Sequence, residues 1–281
     1  MPIAFPRPMQ LFAFNASASD ELCAFVEARR RSAVALMLAS GPSADTSARQ
    51  SALLQQHADV WGLNQAFLHP HLVPRFHYVE FKLRSAKDSS EQIWKRFFDA
   101  RRRRRYNETT FLAPYAQFPV LLKTLRMGAL PAAAVSLELR VDAETAEHGC
   151  SRDTLLDRPV RPRVYCASSL TALVAIATRT NYSDIAFLGV DLNGPYHFYS
   201  FFPDMPHYEQ LTTARSVDAF GESTHATAAR GVHHFLEHAA TRARQCFYSL
   251  SPDSLLCTNA SHIAPTTPTR LANGSSRCKR P

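Results

Sequence analysis

Three observations predict an α/β protein with a mostly parallel sheet. Short, continuous apolar runs such as Ala33 to Ala39, Asp59 to Leu63 and Ile185 to Val190 punctuate the chain, and runs of this kind belong to strands covered on both faces. The runs are separated by helix-like stretches, and strand-helix-strand order produces parallel sheets with right-handed crossovers. Several runs also stop on small or polar residues, at what would be the carboxyl edge of the sheet, where open α/β sheets bind ligands. A chain of 281 residues holds one large domain of this class or two small ones. We expect one, spanning 1–258, with a flexible lid over about 200–224 and a disordered basic tail over 259–281.

Each element follows from local pattern. Leu22 to Arg31 reads as a helix and Ala33 to Ala39 as the first buried strand, which opens into Ser40-Gly41-Pro42-Ser43-Ala44-Asp45-Thr46, too rich in small residues to be core. A helix over Ala48 to His57 should follow, then a strand from Asp59 to Leu63 that ends at Asn64-Gln65. Arg75 to Leu83 is a third strand candidate, and Ser90 to Arg104 a helix with a serine cap. Over 106–163 the pattern is weaker: Tyr115 to Met127 reads as helix despite Pro119, Ala132 to Arg140 as strand, and His148 to Pro162 as loop. Arg163 to Cys166, a helix from Ser169 and the strand ending at Asp191 restore order. Phe201 to Thr224 is aromatic and proline-containing, as expected of a cover over a crevice. A helix from Ala226 to Arg242 then leads to the strand Gln245 to Leu250. Beyond Cys257, Ser, Thr, Pro, Asn and basic residues dominate, which predicts disorder.

Composition excludes several functions. No run of about 18 apolar residues exists to span a bilayer, and the first residues lack a signal-peptide core, so cytoplasmic residence is the expectation. The six cysteines show no Cys-x-x-Cys spacing and read as reduced, buried thiols. His69, His71 and His77 flank prolines around a turn, while His233, His234 and His238 share a helix without a metal-binding pattern. Net charge is +8, concentrated in Arg101 to Arg105 and in Arg270, Arg277, Lys279 and Arg280. That surface would attract phosphates of a nucleotide sugar, an anionic membrane or nucleic acid. The arginine run also reads simply as a solvated helix end favoured by the helix dipole.

Ligand chemistry concentrates at the strand ends. Asp191 is the first residue past the run Ile185 to Val190, and Asn193, Tyr196 and Tyr199 follow it closely. Gly41 to Ser43, Asn64-Gln65 and Ser168-Ser169 end or precede other core elements. Taken singly, each of these is equally an ordinary turn or cap. Their convergence on one crevice is what would make a binding site. Neither Gly-x-Gly-x-x-Gly nor a P-loop occurs, so dinucleotide and ATP-phosphate sites of those kinds are disfavoured. There is also no Asp-x-Asp element to tie a metal to a diphosphate.

With these segments in this order, the chain resembles the bacterial lipooligosaccharide sialyltransferases of the Campylobacter and Haemophilus type, over islands between about 33 and 257. Leu38-Ala39-Ser40-Gly41-Pro42-Ser43 resembles that family's first-strand turn, and Asp59 to Gln65 its second strand with Asn-Gln. Val174 to Ala177 with Ile185 to Asp191 resembles its central helix-strand unit, and Ser249 to Leu256 its last strand and turn. The resemblance implies a single Rossmann-like domain with a lid, and transfer of sialic acid from a cytidine-monophosphate (CMP) sugar to a glycan or glycolipid, with inversion and without metal or other cofactor. It implies donor contacts from Ser40, Gly41, Pro42, Ser43, Asn64, Gln65, Ser168, Ser169, Asp191 and Asn193. His225 would be the base, and Tyr196, with Tyr199 as substitute, the donor to the leaving phosphate. Ser40 stands where the family carries Asn, and Asn193 where it carries an aromatic residue, so a related keto-deoxy acid is an alternative sugar. Peripheral contact with an anionic membrane is an expected accessory, and specific nucleic-acid binding is not expected. Two other functions fit parts of the chain: a pterin diphosphokinase-like enzyme, whose Rossmann domain has a similar turn, and a non-catalytic nucleic-acid or membrane-binding protein.

Overall fold

The computed structural model describes residues 10–14, 19–79, 104–114, 133–137, 169–191, 232, 235–237, 239–240, 245–258 and 263–273. In chain order the elements are β1 (Gln10–Phe14), α1 (Ser19–Glu27), β2 (Val34–Leu38), α2 (Ala48–His57), β3 (Asp59–Leu63), β4 (Phe76–Tyr78), β5 (Thr110–Pro114) and β6 (Ala133–Leu137). These are followed by α3 (Ser169–Arg179), β7 (Asp184–Leu188), β8 (Cys246–Ser249), α4 (Leu255–Thr258), β9 (Ile263–Pro265) and α5 (Pro268–Ala272). Three 3-10 turns, Pro42–Ala44, Asn64–Leu68 and Arg104–Tyr106, lie between them.

Among the described residues nine strands form one sheet in the order β1-β6-β5-β4-β3-β2-β7-β8-β9, and each of these pairings is parallel. The α/β class and parallel sheet expected from the apolar runs are therefore present. The central strands are buried on both faces because their side chains alternate between two cores. Ala35, Met37, Trp61, Tyr78, Ile185 and Phe187 pack against α1, α3 and the helical residues Val232, Phe235, Leu236 and Ala239. Leu36, Leu38, Val60, Phe111, Ala186 and Tyr248 pack with Leu54 of α2 and Leu271 of α5. Within α3 every residue from Ser169 to Ala177 is buried, as expected of a helix apolar all round. Helix α2 starts with a capping box in which the Ser47 hydroxyl accepts from the Gln50 amide while the Gln50 side chain accepts from the Ser47 amide.

Several elements differ from expectation. Strands β1 and β5 fall where no strand was anticipated, because Pro and charge on either side hide such short runs from periodicity. Strand β4 is shorter than Arg75 to Leu83; residues 80–103 lie outside the described ones, as do the helix expected over 115–127, the segment 163–166 and the lid over 200–224. Of the helix expected over Ser90 to Arg104, only the last residue is described, and it begins the 3-10 turn Arg104–Tyr106. The tail is a correction. Residues 263–273 are ordered: β9 extends the sheet next to β8, and α5 is capped by Thr267, whose hydroxyl accepts from the Arg270 amide, with Pro268 in the first turn. A Thr-Pro pair that looks like loop composition is here a helix start. Residues 274–281 lie outside the described ones. Cys246 is also disulfide-bonded, contrary to the expectation of reduced thiols throughout, while Cys257 is a free thiol. Spacing alone carries no sign of this bond.

The amino edge of the sheet is closed by one carboxylate. Asp59, buried at the start of β3, accepts through Oδ2 from the amides of Arg31 (2.9 Å) and Ser32 (3.2 Å) and from the Tyr182 hydroxyl (2.9 Å). Arg75 Nε lies 3.6 Å from Oδ1 and also donates to the Arg29 carbonyl. Burial, reinforced by the Asp59 charge, pushes the Tyr182 hydroxyl far above its ordinary pKa, so it remains a donor. These contacts join the turns preceding β2, β3, β4 and β7. Asp59→Ala, which leaves two amides, a hydroxyl and a guanidinium without their acceptor, should cost about 3 kcal/mol in chemical denaturation. Tyr182→Phe should cost about 1 kcal/mol.

Candidate functional site

Strand β2 pairs with β3 on one side and β7 on the other, while the chain passes from β2 to β3 and returns to β7 only after β6. The carboxyl ends of β2 and β7 thus flank the point at which the winding reverses, the place where open α/β sheets bind ligands.

The residues past β2 and β7 are joined across this point. The Gly41 amide donates to the Gly189 carbonyl (2.8 Å). The Gly189 amide returns a bond to Ser43 Oγ (3.1 Å), and the Ser43 amide donates to Asp191 Oδ2 (2.9 Å). Both glycines are required by shape. At Gly41 a Cβ would sit 2.3 Å from Asp191 Oδ2 and 2.6 Å from the Gly189 carbonyl oxygen. Gly189 has φ +71°, and its Cβ would lie 2.6 Å from the Ala39 oxygen, a conformation that side chains resist. Pro42 begins the 3-10 turn Pro42–Ala44, its fixed φ suiting the first helical position.

A buried histidine supports this turn from below. His69 Nε2 lies 2.9 Å from the Ala44 carbonyl and 3.3 Å from Thr46 Oγ1, while Nδ1 accepts from the amides of Leu72 (2.9 Å) and His71 (3.1 Å). This set of partners requires a neutral imidazole with its proton on Nε2. Burial drives the His69 pKa down to about 4, outweighing the Ala44 carbonyl that favours the charged form. Asn64, one residue beyond β3, has φ +45°; its carbonyl accepts from Nε2 of buried His77 at 2.8 Å. Burial lowers the His77 pKa to about 4 as well.

Of the expected site residues, Ser40, Gly41, Pro42, Ser43, Asn64, Gln65 and Asp191 lie at the carboxyl edges of three adjacent strands, β3, β2 and β7. Ser169 reaches the same level. It opens α3, which packs on β2 and β3 and runs back to the amino edge, where its end is held by bonds from Arg30 and Gln245 to the carbonyls of Thr180 and Thr178. Eleven helical residues are about as long as a five-residue strand. Ser168, Asn193, Tyr196, Tyr199 and His225 lie outside the described residues. Among the described residues there is no cluster of three or more His, Cys, Asp or Glu side chains able to hold a metal, and no helix is long and apolar enough to cross a membrane. His69 and His77, read from the sequence only as turn residues, are additions to the site. Both act on backbone carbonyls, which carry no sequence signature.

No family profile and no curated protein matches the chain. Among solved structures it is similar to an α-2,3-sialyltransferase from Campylobacter jejuni in apo form, at 15% identity over 83% of this chain and 80% of that one, with a TM-score of 0.44. It is also similar to the sialyltransferase CstII from Campylobacter jejuni in complex with a substrate analogue, cytidine-5′-monophosphate, at 16% identity over 84% and 85% of the two chains, with a TM-score of 0.47. Likeness at this level does not identify a substrate.

Two outcomes follow from the geometry. Gly41→Ala should break the bonds between the loops and lower stability by about 2 kcal/mol or more, measured by denaturant titration. Stability should also fall on acidification, between the ordinary histidine pKa near 6.5 and the folded-state value near 4. In that window the unfolded chain takes up protons that folded His69 and His77 refuse, at a cost of about 3 kcal/mol for each ring. Double replacement by Gln should flatten this part of the stability-pH curve.

Proposed function

We propose that this protein is a metal-independent, inverting glycosyltransferase that takes a sialic acid, or a related acidic sugar, from a CMP-linked donor and delivers it to a surface glycan or glycolipid. The observation that carries this reading is the Gly-Pro-Ser turn locked to Asp191 at the winding reversal of a parallel sheet, with Asn64 and Gln65 on the neighbouring strand. Three of the segments that resemble sialyltransferases in sequence thereby share one edge. Open α/β sheets bind nucleotides at such an edge.

In this reading the small residues of the turn let backbone groups approach the cytidine nucleotide, and Asn64 and Gln65 offer both donors and acceptors to its polar edges. One Asp191 oxygen holds the Ser43 amide, and the other is assigned to a ribose hydroxyl. The acceptor hydroxyl attacks the anomeric carbon as the bond from that carbon to the phosphate oxygen breaks, with the electron pair leaving on CMP. His225 is assigned the acceptor's proton. Tyr196, with Tyr199 as substitute, is assigned a hydrogen bond to the departing phosphate. The basic surface is assigned to attraction of anionic donors and membrane.

Titration calorimetry with CMP and CDP on folded protein should give heat for at least CMP. Silence with both would remove the donor assignment. His225→Ala should abolish transfer with little change in CMP affinity, and retained transfer would move the base elsewhere. Ser43→Ala, which removes the acceptor for the Gly189 amide, should weaken CMP binding by about tenfold.

A further inference from the structure

We infer that His77 is a positioning residue of the crevice, holding Asn64 in the backbone geometry from which Asn64 and Gln65 would meet the nucleotide; this rests on the donor reading above. Asn64 and Asn181 are the two non-glycine residues with positive φ among those described, and that conformation costs an L-residue about 1 kcal/mol. At Asn64 it falls one residue past the carboxyl end of β3, on the strand adjoining the Gly-Pro-Ser turn. Asparagine tolerates this conformation better than other L-residues, and a hydrogen bond to its carbonyl fixes it.

The support comes from the next strand. His77 lies opposite Gly62 in the register of β3 and β4, and its side chain reaches from there to the Asn64 carbonyl, 2.8 Å from Nε2. Gly62 makes that route available, because a Cβ there would lie 2.8 Å from His77 Nδ1 and 2.7 Å from Pro74. The ring is closed in between Phe67 and Phe111, with centroids 5.9 and 5.6 Å away, and is fully buried. So enclosed, the imidazole directs Nε2 at the Asn64 carbonyl. With the Asn64 carbonyl turned inward, the planar peptide to Gln65 is fixed as well. Both side chains of the Asn-Gln pair therefore leave the backbone from a set frame. His77 is sealed from the crevice by this packing and acts on it only through Asn64, so it is not a catalytic residue.

Reach, rather than polarity, is what a test must vary. Glutamine places its amide nitrogen about as far from Cα as imidazole Nε2, whereas asparagine reaches only about as far as Nδ1. CMP titration should therefore leave His77→Gln within about threefold of the parent protein and cost His77→Asn about tenfold or more. The pH profile of transfer should be the same in all three, since the base lies elsewhere. Heat from the parent with equal affinities for both variants would overturn the inference and leave the donor reading intact. No heat from the parent would end the donor reading, and this inference with it. Should His77→Asn fail to fold, long-range proton-nitrogen correlation on the histidine-labelled parent decides: an Nε2–H tautomer at His77 supports the inference, and an Nδ1–H tautomer overturns it.

Discussion

Ser43 is the joint on which the arrangement of the carboxyl edge between β2 and β7 depends. Its hydroxyl receives the Gly189 amide and its own amide reaches Asp191, so one small residue ties together two loops separated by nearly 150 positions in sequence. Without that joint, β2 and β7 would still pair and the Gly41 amide would still meet the Gly189 carbonyl, but Asp191 would lose its tie to the Gly-Pro-Ser turn. Each contact is a modest hydrogen bond, worth about 1 kcal/mol net. Their effect lies in mutual dependence: Gly41 must lack a side chain for the Asp191 carboxylate to approach, and Gly189, left-handed and pressed against the Ala39 carbonyl, has no room for one.

The two edges of the sheet divide the work. At the amino edge, Asp59 gathers amides, a phenol and a guanidinium into a closed network whose partners are all internal. At the carboxyl edge the polar groups are arranged around backbone turns, and the side chains beneath them are neutral. His69 and His77 illustrate the distinction. Burial keeps both uncharged, so each supplies a directed hydrogen bond without placing a fixed positive charge under the crevice.

Legibility from sequence followed the strength of local pattern. The runs that became β2, β3 and β7 are apolar on both faces, and that signal survives without neighbours. Strands β1 and β5 are equally short but lie beside prolines and charges, so their existence depends on the sheet that accepts them. The tail was misread for a related reason: Thr-Pro and Ser-rich composition describes disorder and helix caps alike, and only the packing of Leu271 distinguishes them. At the site, the Gly-Pro-Ser turn, the Asn-Gln pair and Asp191 were visible because each directly follows a strong apolar run, although such residues are ordinary in turns. The bracing histidines were not, because their partners are carbonyls that any residue could supply.

The ordered segment after Thr258 changes how the crevice is held. Helix α5 packs against α2, and Leu271 and Leu54 belong to the same apolar cluster; α2 in turn begins four residues after the Pro42–Ala44 turn ends. Trimming the chain back to Thr258 would bare that side of α2 and strip β8 of a neighbour, loosening the footing of the Gly-Pro-Ser turn from behind. The carboxyl terminus is thus a poor place for a truncation meant to be neutral.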